Sequence, residues 1–194
     1  MPRPDLTEER TAMILDAFAR CVARKGLDAT SLENVADEAG VKRSILRHYV
    51  GNRDDLINAL AQRVDARYRE VMAELVASLP KQRPANALLD FLFWDYGDET
   101  NHDVQVAEVL MAAARNNESL RTISKGWLDD FTQIVADALQ RHYPKAGKNQ
   151  CWTVAYGVVS IYYSHESLRQ MPLPEKYRRA ARASAEMLTD TLAL

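Results

Sequence analysis

The stretch Ser31 to Leu56, SLENVADEAGVKRSILRHYVGNRDDL, constrains the fold more than any other part of the chain. Thr30 or Ser31 can cap a helix that carries Leu32, Val35, Ala36 and Ala39 at helical spacing. Gly40 ends that helix at a turn favouring positive φ. A second short helix covers about Lys42 to Tyr49 and is broken by Val50-Gly51-Asn52. Ala36 is small where the two helices must cross closely. Val35, Ala39, Val41, Leu46 and Tyr49 are the apolar positions needed to pack both on a preceding helix. Together these residues describe a helix-turn-helix.

The charge of this stretch differs from that of the chain. Lys+Arg number 25 and Asp+Glu 27, a formal net charge of -2. Yet Lys42, Arg43, Arg47, His48 and Arg53 fall in one window with no acid between them. Any nucleic-acid contact must therefore come from a patch. Packing the apolar set inward leaves Lys42, Arg43, Ser44, Arg47 and His48 on the outer face of the second helix, a face that can enter a major groove. The N–H groups near Thr30 and Ser31, at the start of the first short helix, suit a phosphate, and Arg53 is placed for another. Tyr49 completes the set of DNA-binding candidates. The competing reading is a solvated charged face on an ordinary helical hairpin.

The rest of the chain reads as helical, with no strand alternation. Thr7 can cap a first helix over about Glu8 to Lys25, whose Ile14, Leu15, Phe18, Cys21 and Val22 share a face and which Gly26 ends. Further helices are expected over about 52–78, 85–96, 103–115, 120–142, 149–169 and 175–192. The expected architecture is all-α, with a helix-turn-helix domain over 1–52 and a helical domain over 53–194. Cys21 and Cys151 form no CxxC pattern, which fits a reducing cytoplasm. The opening MPRPDLTEER has no apolar core of a signal peptide, and no apolar run reaches the ~18 residues of a membrane span.

The N-terminal third resembles the tetracycline-repressor (TetR) family of bacterial transcriptional regulators. The resemblance is carried by Ile14-Leu15-Asp16-Ala17, Gly26, Ala29-Thr30-Ser31, Val35 to Val41, Ile45-Leu46-Arg47-His48-Tyr49 and Arg53-Asp54-Asp55-Leu56. The chain departs from the family pattern with Arg47 for a frequent Tyr, Val50 for Phe, Ser44 for Gly and Arg53 for Lys. The resemblance implies a helical C-terminal domain for ligand binding and dimerisation, and most often a repressor.

In that region, Cys151 to Tyr163 is apolar on nearly every face, as expected of a helix buried on all sides. With small Ala155, Gly157 and Ser160, and with Ala180, Ala181, Ala183, Ser184, Met187 and Leu188 on the last helix, it suggests a four-helix homodimer interface. Aromatic residues suggest a small-molecule pocket, with Phe91, Trp94, Trp127, Phe131 and Tyr156 as candidate lining. Asp95, Asp98, Glu99, His102 and Asp103 read either as a divalent-ion site or as a solvated loop before a helix, the loop being preferred.

The expected function is a ligand-responsive repressor released from a palindromic operator, with no cofactor and no catalytic residues. Rival readings are a metal-dependent helical enzyme and a helical protein-interaction module. The enzyme lacks paired Glu-x-x-His ligands, and the interaction module leaves the outward cations unexplained.

Overall fold

The computed structural model describes residues 6–94, 102–168, 171 and 173–193. Its helices are α1 (Leu6–Lys25), α2 (Leu32–Ala39), α3 (Arg43–Val50), α4 (Arg53–Ser78), α5 (Pro84–Leu92), α6 (His102–Ala113), α7 (Glu118–His142), α8 (Lys148–Ser167) and α9 (Lys176–Asp190). Short 3-10 turns follow α6 and α9. The fold is all-α, and no strand occurs among the described residues.

The chain divides into two compact units. One comprises residues 1–69 and 99–125, the other 70–98 and 126–194. Two of the three divisions fall inside α4 and α7, whereas the sequence places a single boundary at 52/53. The difference arises because α6 packs on α1, so a later helix completes the core of the first unit.

In the first unit α1 turns Ile14, Leu15, Ala17, Phe18, Cys21 and Val22 inward. Val35 and Ala36 of α2, Leu46 and Val50 of α3, and Leu56 and Leu60 of α4 are buried as well. Burying one such side chain contributes about 1.5–3 kcal/mol. Val50, read from sequence as part of a break, is the last residue of α3 and is buried. Arg63 of α4 pairs with Asp16 of α1 and donates to the Ala12 carbonyl.

In the second unit α9 packs on α8 and on α5. Gly157 of α8 permits this closeness: a Cβ there would lie 3.1 Å from Leu188 Cδ1 of α9 in the same chain. Arg182 of α9 bonds Asp90 of α5 at 2.6 Å, and Arg178 donates to the Phe93 carbonyl at 3.1 Å. Inside, the Phe131 ring meets Tyr162 edge-on at 5.4 Å, and Phe93 meets Tyr162 at 6.4 Å. Burial pushes the Tyr163 phenol up to about 12.

Candidate nucleic-acid interface

The turn between α2 and α3 is built from local rules. Ser31 caps α2: its hydroxyl accepts from the Asn34 N–H and the Asn34 side chain accepts from the Ser31 N–H, both at 3.2 Å. This reciprocal capping box satisfies two N–H groups that a helix start otherwise leaves open. At the far end Gly40 adopts φ 66, ψ 30. The Val41 N–H donates to the Ala36 carbonyl and the Gly40 N–H to the Asp37 carbonyl. That is a Schellman stop, which requires the left-handed residue. Lys42 then opens α3, its carbonyl accepting from the Ile45 and Leu46 N–H groups.

The start of α4 is fixed the same way. The Asn52 side chain accepts from the Asp54 and Asp55 N–H groups, and the Asp55 carboxylate accepts from the Asn52 N–H at 2.9 Å. Gly51, at φ 77 and ψ -142, joins α3 to this cap. A side chain on Gly51 would collide with the Asp55 carboxylate.

These devices hold α3 with Leu46 and Val50 inward. Lys42, Arg43, Ser44, Ile45, Arg47 and His48 are exposed and Tyr49 is half-buried, its ring edge-on to His48 at 5.2 Å. Among the described residues Lys42, Arg43 and Arg47 form no ion pair, whereas many arginines elsewhere do. Two nearby acids are engaged in other contacts. Glu38 binds Arg20 at 2.8 Å and also Arg24, and these bonds hold its carboxyl below the usual carboxylate range. Asp55 serves the α4 cap. The positive face of α3 is therefore not neutralised by Glu38 or Asp55.

Three candidates have structural duties. Thr30 is buried, its hydroxyl donating to the Gly26 carbonyl at 2.7 Å and its N–H to the Leu27 carbonyl. It therefore cannot offer a phosphate either donor without breaking the loop. Ser31 spends its N–H on Asn34. Arg53 donates to the Leu27 carbonyl at 2.7 Å, which ties the start of α4 to the loop between α1 and α2.

The ligand candidates differ in exposure. Trp127 and Phe131 are buried, but Phe91, Trp94 and Tyr156 are 37%, 63% and 48% exposed. The physical reason for Tyr156 is rotational. Cys151, Ala155, Val158 and Val159 turn inward, so the row four residues apart, Trp152, Tyr156 and Ser160, turns outward. Within one chain α8 is therefore covered on one side only, and the uncovered side is the one that the sequence assigns to a partner chain. Trp152 and Tyr156 stack on each other at 5.9 Å, and Tyr177 and Met187 are exposed on or beside α9. The acidic segment at Asp95, Asp98 and Glu99 lies outside the described residues, as do the side chains of His102 and Asp103. No group of three or more His, Cys, Asp or Glu suited to a metal occurs among the described residues.

Sequence reasoning missed two features. Ile45 is an exposed apolar residue on α3. A cleft of about 200 Å³ in the first unit is lined by Ala19, Leu60, Arg63, Val64, Arg67 and Val106. The lining spans α1, α4 and α6, so no local pattern announces it.

The family model for bacterial regulatory proteins of the tetR family matches residues 14–60, which covers α2, α3 and the turn between them. Residues 14–60 thus carry the sequence pattern of the tetR family. The HTH-type transcriptional regulator BetI of Burkholderia ambifaria is 33% identical over 139 residues, covering 72% of this chain and 62% of that one. The chain spans about three fifths of the length of the curated relatives it matches. A TetR-family structure from Streptomyces coelicolor A3 is 25% identical and superposes with a TM-score of 0.65 over 93% of this chain and 98% of that one. The multidrug binding protein EbrR, solved with imidazole, is 24% identical with a TM-score of 0.66 over 97% and 96% of the two chains, and shows the shared fold. The TetR-family match thus falls on the stretch whose caps and turn fix the pose of α3.

Proposed function

We propose that this protein is a DNA-binding transcriptional regulator of the TetR family, acting as a homodimeric repressor that a small molecule releases from a palindromic operator. The observation that carries the reading is the outer face of α3: exposed Lys42, Arg43 and Arg47 without ion pairs among the described residues. An arginine on such a face can bind guanine O6 and N7 in the major groove, and cations beside it neutralise phosphates. Lys42, Arg43, Ser44, Arg47, His48 and Tyr49 are the proposed DNA contacts. Ser31 and Arg53 hold the frame and lie at its phosphate-facing rim, and Thr30 supports them from inside.

The homodimer is proposed through α8 and α9. Trp152, Tyr156 and Met187 are large apolar side chains left exposed there, and Ala180 and Ala183 beside them are small and exposed. Two copies related by a two-fold axis would cover these rows and present two α3 helices to two half-sites. The ligand is proposed to bind in the second unit, near Trp127 and Phe131. The description of EbrR as a multidrug binding protein supports a small-molecule effector. To act as a switch, that effector must bind one state of the protein more tightly than the other. We assign no enzymatic role and no cofactor. No helix among the described residues is long and apolar enough to cross a membrane, and a cytoplasmic location follows from the DNA-binding role.

The test is selection of bound sequences from a random duplex pool, repeated with Arg43→Ala and Arg47→Ala. An inverted repeat, lost or relaxed in the variants, is the expected outcome. No enriched sequence at moderate salt from folded protein would overturn the reading in favour of a protein-interaction module.

A further inference from the structure

We propose that Ile45 reads the 5-methyl group of a thymine in each half-site. The inference rests on the DNA-binding reading and adds a specificity residue to it.

Successive residues of a helix turn by about 100°. Leu46 and Val50, 0% and 8% exposed, define the inward direction of α3. Ser44 and His48 stand two residues either side of Leu46, about 200° away, and form the outermost line. The remaining residues fall into two flanking rows with four-residue spacing. Arg43 and Arg47 form one; Ile45 and Tyr49 form the other. The surface offered to a groove is thus a cationic row, a short polar row and an apolar row side by side.

The apolar row calls for an explanation in terms of its partner. Ile45 is 43% exposed, and no other large apolar side chain of α2 or α3 is exposed. A single exposed isoleucine is ordinary on a protein surface. This one stands between Ser44 and Leu46 on the helix already proposed to enter the groove. The small Ser44 lets the helix approach closely there. Among the four bases of ordinary DNA, only thymine presents an apolar group in the major groove, its C5 methyl. An isoleucine on the groove-facing surface can therefore favour one base, and it does so by burying that methyl against its own branched carbons. The polar edges of guanine, adenine and cytosine gain nothing from it.

The row arrangement also predicts where the thymine lies. The arginines leave α3 on the opposite flank from Ile45. The thymine contact and the arginine contacts should therefore fall at different positions of the half-site.

The experiment uses the full-length protein and the duplex recovered by selection. Each thymine of the half-site is replaced in turn by deoxyuridine, which removes only the methyl group. Affinities are measured for the natural chain and for Ile45→Ala. At one thymine per half-site, the natural chain should lose about fourfold on losing the methyl, the worth of one buried carbon. Ile45→Ala should bind the thymine and uracil duplexes equally at that position. Because Ile45 is exposed, the variant should keep its thermal midpoint. Two results would overturn the inference while leaving DNA binding intact: indifference of the natural chain to every methyl, or equal methyl sensitivity in the natural chain and Ile45→Ala. Failure to recover any duplex would instead remove the DNA-binding reading, and this inference with it.

Discussion

Two surfaces of this molecule are built by opposite means. On α3 the large apolar residues Leu46 and Val50 turn inward, and the outside carries the cations Arg43 and Arg47 beside Ser44, Ile45 and His48. On α8 and α9 the inward residues are small or medium, Ala155, Val158, Val159 and Ala185, while Trp152, Tyr156 and Met187 remain outside. The first surface has charge that the nearby acids Glu38 and Asp55 leave uncompensated; the second has apolar area that the chain leaves uncovered. The proposed DNA contact rests on the first and the proposed homodimer on the second. The difference teaches that exposure alone assigns no partner: the chemistry of what is exposed does.

The largest effect should come from reversing charge on α3. Arg43→Glu with Arg47→Glu should weaken specific duplex binding by about a hundredfold or more, given ~1–3 kcal/mol per arginine–base pair. Self-association should be unchanged, because the substituted residues lie on α3 alone. Fluorescence anisotropy with an operator duplex and sedimentation equilibrium on the same sample separate the two readouts. Loss of both together would show that the two surfaces do not act independently.

The converse substitution attacks the other surface. Tyr156→Glu with Met187→Glu should raise the dimer dissociation constant by about thirtyfold or more, as expected when aromatic interface anchors are lost. The monomer should remain helical, since the two side chains are 48% and 64% exposed and support little of the core. A sedimentation profile identical to that of the natural chain would show that α8 and α9 do not form the interface.

A smaller effect tests how the first surface is held. Gly51→Ala places a side chain at a positive φ and against the Asp55 carboxylate. It should cost about 1–2 kcal/mol in urea unfolding. Operator affinity should fall as well, because Gly51 sets how α3 meets α4. The α8–α9 surface is built without Gly51, so self-association measured on folded protein should not move.

These surfaces also differ in how far the sequence disclosed them. The α2–α3 turn was legible because its determinants are local: Ser31 with Asn34, Gly40 with Ala36 and Asp37, Asn52 with Asp55. Every one of these contacts spans four residues or fewer. The tie between Arg53 and the Leu27 carbonyl was not legible, because the two residues are distant in sequence and come near only after folding. On α8 the composition announced burial but not orientation. With apolar residues on nearly every side, periodicity gives no direction, and the choice of inward row falls to Gly157 meeting Leu188. The exposure of Phe91, Trp94 and Tyr156 was not legible for that reason: an aromatic residue is equally suited to a pocket, a core or an interface.

The smallest expected effect distinguishes two polar contacts, one in each unit. In the second unit the His142 Nδ1 accepts from the Ala85 N–H at 3.1 Å, at the start of α5. Burial, and then the charge of Arg83, hold its pKa below the ordinary 6.5, against weaker opposing pulls from a backbone hydrogen bond at Arg83 and then from Asp190. The unfolded chain thus takes up this proton first as pH falls. The stability His142 contributes is full above about 6.5 and declines as pH drops from there toward its folded pKa. Glu38 in the first unit has its pKa lowered from 4.5 by its bonds to Arg20 and Arg24, so its contribution survives until pH falls below that value. Between about pH 7.5 and pH 5 the His142 contact should weaken while the Glu38 contact persists. The thermal midpoint followed over that range should therefore fall less steeply in His142→Gln than in the natural chain. Glu38→Gln should lower the midpoint by a similar amount at every pH in the range, leaving the slope intact. An unaltered slope in His142→Gln would assign the titration to another group and show that the α5 start does not depend on a neutral imidazole.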